Sequence, residues 1–215
     1  MDTYAVIGLG TFGSAVAAEL MNSGCEVLAI DHNEEKVQRI ADSVTDAVVA
    51  DARDESVLRS LEIVHYDCCV VCIGEDVAAS ILVTLTLKEM GVKRVVCKAC
   101  DEIHKKALLK VGAERAVIPE KEMAGRFAQS LVSPNVMEYF ELSEEDAIVE
   151  RRAPASWVGK NLRQLNVRAK YGVSVIAFRR AGRLAVSPHP DDEIHSDDML
   201  VMLGRADELS RLEKL

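Results

Sequence analysis

Gly8-Leu9-Gly10-Thr11-Phe12-Gly13 is the stretch that decides the fold. The apolar run Tyr4-Ala5-Val6-Ile7 leads into it, and an alanine-rich stretch over 12–23 with helical spacing leads out. Strand, glycine turn and helix is the context in which this spacing binds phosphate. Gly8 permits the tight turn, Gly10 lets the backbone approach a phosphate, and Gly13 lets the helix pack close to the strand. Unpaired N–H groups at the helix start favour an anion. Asp31 closes the next apolar run, 21 residues after Gly10. A carboxylate there accepts hydrogen bonds from both ribose hydroxyls of a nucleotide. His32 and Asn33 follow it, with no arginine, so a 2′-phosphate is poorly served.

Outward from this stretch the pattern repeats. Strands are expected at 4–8, 26–31, 47–51, 68–74, 94–100 and 115–119, and helices at 12–23, 34–42, 55–61, 76–90 and 102–111. The strands are short, rich in Val, Ile and Cys, and lack polar alternation, as in a parallel sheet covered on both faces. Asn33, Asp54 and Asp101 stand where N-caps belong, and Gly24, Gly91 and Gly112 where helices end. Alternating strands and helices predict an α/β fold, a Rossmann-like doubly wound sheet over 1–120. Valine accounts for 27 of 215 residues and aromatics for only 4%, so the core is aliphatic. One helix, Val77-Ala78-Ala79-Ser80-Ile81-Leu82-Val83-Thr84-Leu85-Thr86-Leu87, is apolar nearly all round. Such a helix must be covered on both sides, and a subunit interface is the expectation.

A helix at 121–132 ends in Ser133-Pro134-Asn135, which marks a crossover helix and hinge over 121–135. The remainder, 136–215, reads as a small α+β module. Its strands are expected at 137–142, 148–152, 173–179, 184–187 and 199–204, with helices at 161–171 and 206–215 and a hairpin turn at Ala181-Gly182. Residues 151–190 hold nine Lys and Arg and no Asp or Glu, in a chain whose net charge is −9. That asymmetry invites a small anion, with Arg168 the first choice for a phosphate contact. The bland alternative is basic side chains that pair with acids elsewhere. Asp191-Asp192-Glu193 and Asp197-Asp198 lack calcium-loop spacing and read as a solvated turn.

The net charge argues against a nucleic-acid surface, and the scarcity of aromatics against base-stacking platforms. The longest uncharged run, 3–18, contains three glycines and follows Asp2, so it is neither a signal peptide nor a span, and a cytoplasmic protein is expected. The six cysteines include two C-x-x-C pairs, Cys69/Cys72 and Cys97/Cys100. Positions i and i+3 of a strand face opposite ways, so neither pair converges on zinc, and buried reduced thiols are expected.

Asp51 falls at the end of the third strand, beside an adenine pocket or as a helix-entry acid. Lys98 ends the fifth strand, where it can meet a phosphate or solvent. Glu120, just past the sixth, suggests a cation partner or a helix-cap acid. Ligands of open α/β sheets sit at these carboxyl ends.

At this point the sequence resembles a family, the cytosolic regulatory subunits of bacterial Ktr/Trk potassium uptake systems, which carry RCK domains (the KtrA/TrkA family). The matching residues are Tyr4-Ala5-Val6-Ile7-Gly8-Leu9-Gly10-x-Phe12-Gly13, Asp51-Ala52, Lys98-Ala99 and Val117-Ile118-Pro119-Glu120-Lys121-Glu122. Beyond the hinge they are Gly159-Lys160-x-Leu162, Val167-Arg168-x-x-Tyr171-Gly172 and Val175-Ile176-Ala177. The resemblance implies a non-enzymatic subunit that binds ATP or ADP, forms homodimers within an octameric ring, and docks on the inner face of the membrane against a potassium transporter. It implies nucleotide contacts at Gly8, Gly10, Thr11, Phe12, Gly13, Asp31, His32, Asp51, Ala52, Ile73, Gly74 and Lys98. It also implies Mg²⁺ or Na⁺ at Glu120. A second site for cyclic di-AMP is implied at Asn166, Val167, Arg168, Tyr171 and Pro190. Thr11 departs from the family, since many members carry an arginine there that meets the partner's γ-phosphate, and NAD(H) becomes the alternative ligand.

Two other function classes share some of these features. An NAD-dependent oxidoreductase fits the glycine motif, but no acid/base pair suggests itself past the hinge. An RCK subunit serving a different cation channel or antiporter fits the same sequence.

Overall fold

The computed structural model describes residues 2–132, 136–143 and 145–212. The chain divides into two compact units, the first ending at Glu120 and the second beginning at Lys121.

In the first unit, strand and helix alternate: β1 (Thr3–Ile7), α1 (Thr11–Asn22), β2 (Glu26–Asp31), α2 (Glu34–Ile40), β3 (Asp46–Val49), α3 (Glu55–Ser60), β4 (Cys68–Val71), α4 (Val77–Glu89), β5 (Val95–Lys98), α5 (Glu102–Lys110) and β6 (Arg115–Val117). The strands form one parallel sheet in the order β3-β2-β1-β4-β5-β6. The order reverses between β1 and β4, which places a ligand crevice beyond their carboxyl ends. Alternate strand residues feed two cores. Ala5, Ile7, Leu28, Ile30, Cys69, Val71 and Cys97 pack on one side. Val6, Val27, Ala29 and Cys72 pack on the other with Ala17 of α1 and Val37 of α2. Cys69 and Cys72 therefore lie on opposite faces, and all the cysteines are free. Two thiols differ from expectation: Cys25 is half-buried, and Cys100 is exposed because β5 ends at Lys98 and leaves it in the following loop.

Asn33, Asp54, Asp76 and Asp101 each accept a backbone N–H in the first turn of α2, α3, α4 and α5. Such caps each contribute about 1 kcal/mol. β4 ends at Val71 rather than at 74, because its pairing with β1 stops where the glycine turn begins. Half of α4 faces the core through Ala79, Ser80, Val83, Thr84, Thr86 and Leu87, while Leu82 and Leu85 are exposed.

α6 (Pro119–Val132) opens with proline at its first position, where no N–H is needed. The expected hinge, Ser133-Pro134-Asn135, lies outside the described residues. The second unit continues with β7 (Val136–Glu141), β8 (Asp146–Arg152), α7 (Leu162–Leu165), α8 (Val167–Tyr171), β9 (Ser174–Arg180), β10 (Arg183–Val186), β11 (Met199–Arg205) and α9 (Ala206–Arg211). Its sheet is antiparallel, ordered β10-β9-β11-β8-β7. Ala147, Val149, Trp157, Leu200, Met202 and Leu209 fill its core, and Trp157 meets Tyr171 at 5.5 Å between ring centroids. Ala181 and Gly182 both take positive φ, as a hairpin turn requires.

Two expectations need correction here. The helix expected at 161–171 is two short helices, broken at Asn166, which adopts the left-handed conformation (φ 44°, ψ 50°). Asparagine tolerates that conformation better than most residues. The acidic turn is not wholly solvated either. Asp198 is fully buried, accepts two hydrogen bonds from Arg180 at 2.6 and 2.7 Å, and also accepts the His195 N–H.

Candidate functional site

The glycine loop is held from both ends. Gly8 donates its N–H to the Ile30 carbonyl at 2.8 Å and takes φ +97°, a value that excludes most side chains. A Cβ on Gly13 would stand 1.9 Å from the Gly8 carbonyl oxygen, so only glycine lets α1 sit this close to β1. A Cβ on Gly10 would meet nothing within 4 Å among the described residues. Space is therefore open above the start of α1. That start has no side-chain cap, unlike those of α2 to α5, and Thr11 lies exposed at its first position. Its free N–H groups are suited to an anion.

Asp31 is 5% exposed and ties this loop to the neighbouring strand. One of its oxygens accepts the Leu9 N–H at 2.7 Å, and the other accepts the Asn33 N–H at 2.8 Å. Each carboxylate oxygen keeps a second lone pair for a further donor. The exposed His32 approaches the same carboxylate at 3.4 Å, and Lys36 at 3.9 Å. One strand further out, Asp51 is gripped by Arg53, whose Nε and Nη2 lie 2.9 and 2.7 Å from its two oxygens. The Arg53 side chain and amide hold the Asp51 carboxyl at about 2. Ala52 beside it is buried.

Across the switch point, Ile73 and Gly74 follow β4 half-buried. A Cβ on Gly74 would lie 3.5 Å from Lys98 Nζ, and that ammonium sits 5.8 Å from the Phe12 ring centroid. Lys98 is ion-paired with Glu120. Its hydrogen bond and the local backbone amide hold the Glu120 carboxyl below the usual carboxylate range. The fold thus gathers Phe12, Gly74, Lys98 and Glu120 at one end of the sheet, with the open start of α1 at the same end. Among the described residues no three His, Cys, Asp or Glu side chains converge as a metal site. Glu120 offers one carboxylate, a donor set suited to Mg²⁺ that is held mainly by phosphate oxygens and water.

In the second unit, Asn166, Val167, Arg168 and Pro190 line a concavity of about 250 Å³ together with Leu162 and Arg163. Tyr171, expected beside them, instead turns to Trp157 and the core. Much of the basic stretch is paired: Arg163 with Asp191, Arg179 with Glu150 and Arg180 with Asp198, at 2.8, 2.7 and 2.6 Å. Arg168 makes no ion pair among the described residues.

The TrkA-N domain family matches residues 4–119, and the TrkA-C domain family matches residues 147–215. The chain belongs to the KtrA/TrkA family. It is 44% identical to Ktr system potassium uptake protein C of Bacillus subtilis, over 98% of this chain and 96% of that one. It is equally identical to Ktr system potassium uptake protein A of the same organism, over 98% and 95%. The crystal structure of the GsuK RCK domain superposes over all of this chain and 47% of that one, with a TM-score of 0.68 at 17% identity. That likeness supports the RCK fold.

Within this KtrA/TrkA chain, sequence reasoning did not single out Arg53, and it offered Arg163 only as one of the nine basic residues of 151–190. Arg53 had a local signal, since arginine two residues after aspartate can fold back on it. Arg163 meets Asp191 across 28 positions, a pairing that only the folded second unit reveals.

Proposed function

We propose that this chain is a nucleotide-binding regulatory subunit of a potassium uptake system, acting at the cytoplasmic face of a membrane transporter. The observation that carries the reading is the uncapped start of α1 beneath the open space at Gly10, with Asp31 behind it. The names of its relatives support potassium uptake as the setting. No helix among the described residues is long and apolar enough to cross a membrane, so the ion path would belong to a partner.

A bound nucleotide supplies phosphate charge, and Mg²⁺ or Na⁺ with it supplies a cation for Glu120. The chain's own residues do the rest. The amides of Thr11, Phe12 and Gly13 receive phosphate oxygens, while Asp31, with His32, orients the ribose. Asp51, Ala52, Ile73 and Gly74 border the adenosine. Lys98 exchanges Glu120 for phosphate, which frees the first turn of α6, and α6 leads from one unit into the other. Differential affinity of two nucleotides for two arrangements of that helix is what shifts a gate. Thr11 brings no charge to the terminal phosphate, which favours NAD(H) as the alternative to ATP and ADP. The concavity at Arg168 would take one half of a cyclic di-AMP shared between two subunits, and a homodimer within an octameric ring is the expected assembly. The oxidoreductase reading gains nothing from the second unit, whose concavity is lined by no His, Asp or Glu.

Titration calorimetry with ATP, ADP, NADH and cyclic di-AMP, with and without Mg²⁺, tests the reading. One nucleotide per subunit without turnover is expected. Lys98→Met should weaken adenine nucleotides by about 1–3 kcal/mol, the loss of one charge-assisted contact. Absence of any nucleotide affinity in the folded wild type would refute the proposal.

A further inference from the structure

Beyond β5, an exposed thiol faces a buried base. Cys100 Sγ lies 3.4 Å from Nδ1 of His104, and the Cys100 backbone N–H donates to that nitrogen at 3.3 Å. Nδ1 is therefore the unprotonated ring nitrogen, and the ring proton resides on Nε2. The imidazole is 2% exposed, and Nε2 has no hydrogen-bond partner among the described residues. The His104 amide donates to the Asp101 side chain at 2.7 Å, which anchors the residue in the first turn of α5. The ring is thus fixed with its basic nitrogen beside the sulfur of Cys100, the one exposed residue among the six cysteines.

The remaining thiols are placed differently. Cys68, Cys69, Cys72 and Cys97 are buried. Burial pushes Cys69 and Cys72 up to about 12 and Cys97 up to about 11. Cys97, the other half of the C-x-x-C pair, points into the core, 3.3 Å from the Thr84 hydroxyl. It cannot act as a resolving thiol for Cys100.

We propose that Cys100 and His104 form a thiol-exchange site that accepts low-molecular-weight disulfides and holds one half as a mixed disulfide. Cys100 Sγ attacks one sulfur of the incoming disulfide while its proton passes to His104 Nδ1, which releases the Cys100 amide hydrogen bond to take it. The S–S bond of the reagent breaks as the new S–S bond forms. The departing thiolate recovers the proton from His104 and leaves as a free thiol. Cys100 is oxidised and the reagent reduced, with no other reactant. Burial disfavours a standing imidazolium at His104, so the ring serves as a base during attack rather than as a permanent ion-pair partner.

The full-length reduced chain is incubated with oxidised glutathione at pH 7 and followed by intact mass and peptide mapping, with N-acetylcysteine as the reference thiol. One adduct on Cys100 is expected, formed faster than on the reference. Cys100→Ser should abolish it. His104→Asn keeps an acceptor for the Cys100 amide but removes the base, and should slow the adduct about tenfold, a modest general-base effect. First labelling of Cys25, or an unchanged rate in folded His104→Asn, overturns the site. If that variant does not fold, the wild-type rate decides alone: a Cys100 rate at or below that of N-acetylcysteine overturns the site.

Discussion

Asp198 shows what a single residue can hide from a sequence. In the chain it is one of several acids in a polar turn, and nothing nearby in sequence signals burial. In the fold, Arg180 reaches it from the adjacent strand, 18 positions away. Burial alone would raise its carboxyl, but the Arg180 guanidinium and the His195 amide outweigh that and hold it below the usual range. The ionised form is thus favoured by folding. The resulting stability is complete above the unfolded carboxyl's pKa of about 3.9 and is lost as the pH falls through the lower folded value. Asp198→Asn leaves Arg180 without its charge partner and should cost about 2 kcal/mol at pH 7, less than a wholly buried pair because Arg180 is partly solvated. Urea unfolding at pH 7 and pH 3 checks this. The variant's deficit should shrink at the lower pH, and an equal deficit at both would reject it. The Lys98–Glu120 pair is a parallel case. Each residue was legible as a strand-end charge, but the 22 positions between them conceal that they neutralise each other.

At the scale of elements, much more was legible, and for physical reasons. Doubly covered strands need continuous apolar runs, and helices need caps, so β1 to β6 and the starts of α2, α3 and α5 stand out in the sequence, whereas Asp76 reads as part of α4 and is its cap. Strand ends drifted where pairing with a neighbour, rather than propensity, stops the ladder. The break at Asn166 was missed because both flanking segments are good helix formers. The glycine loop allows a sharper test, because its glycines serve different purposes. Gly13→Ala forces a Cβ onto the Gly8 carbonyl, and α1 must move away from β1. The expected cost is about 1–3 kcal/mol, seen as a lower melting temperature. Gly10→Ala has an ordinary φ of −70° and open space around the new methyl. Its melting temperature should stay near wild type while nucleotide affinity falls about tenfold or more, because the methyl occupies the space over the α1 amides. Equal melting and equal binding in both variants would remove the glycine loop from the site.

The whole molecule poses a question that neither unit answers by itself. α4 packs against the sheet and α5, yet Leu82 and Leu85 remain 46% and 36% exposed, and Ile103 on α5 is 81% exposed. Isolated exposed apolar residues are unremarkable, but a helix apolar on nearly every side is not. Its sequence called for a second cover, and the described residues of the first unit supply only one. A second copy of the chain is the cover that the ring assembly proposed above would supply. Each half-exposed leucine or isoleucine covered in this way contributes about 1 kcal/mol, and both copies contribute. Light scattering at micromolar concentration should give a mass that is a multiple of 23.5 kDa. Leu82→Glu combined with Ile103→Glu places charges where the interface would close, and should weaken self-association about a hundredfold or more. Both side chains face solvent within one chain, so thermal unfolding of the dissociated variant should stay cooperative. A monomeric wild type, or a variant of unchanged mass, would show that α4 keeps its apolar surface for something other than a copy of itself.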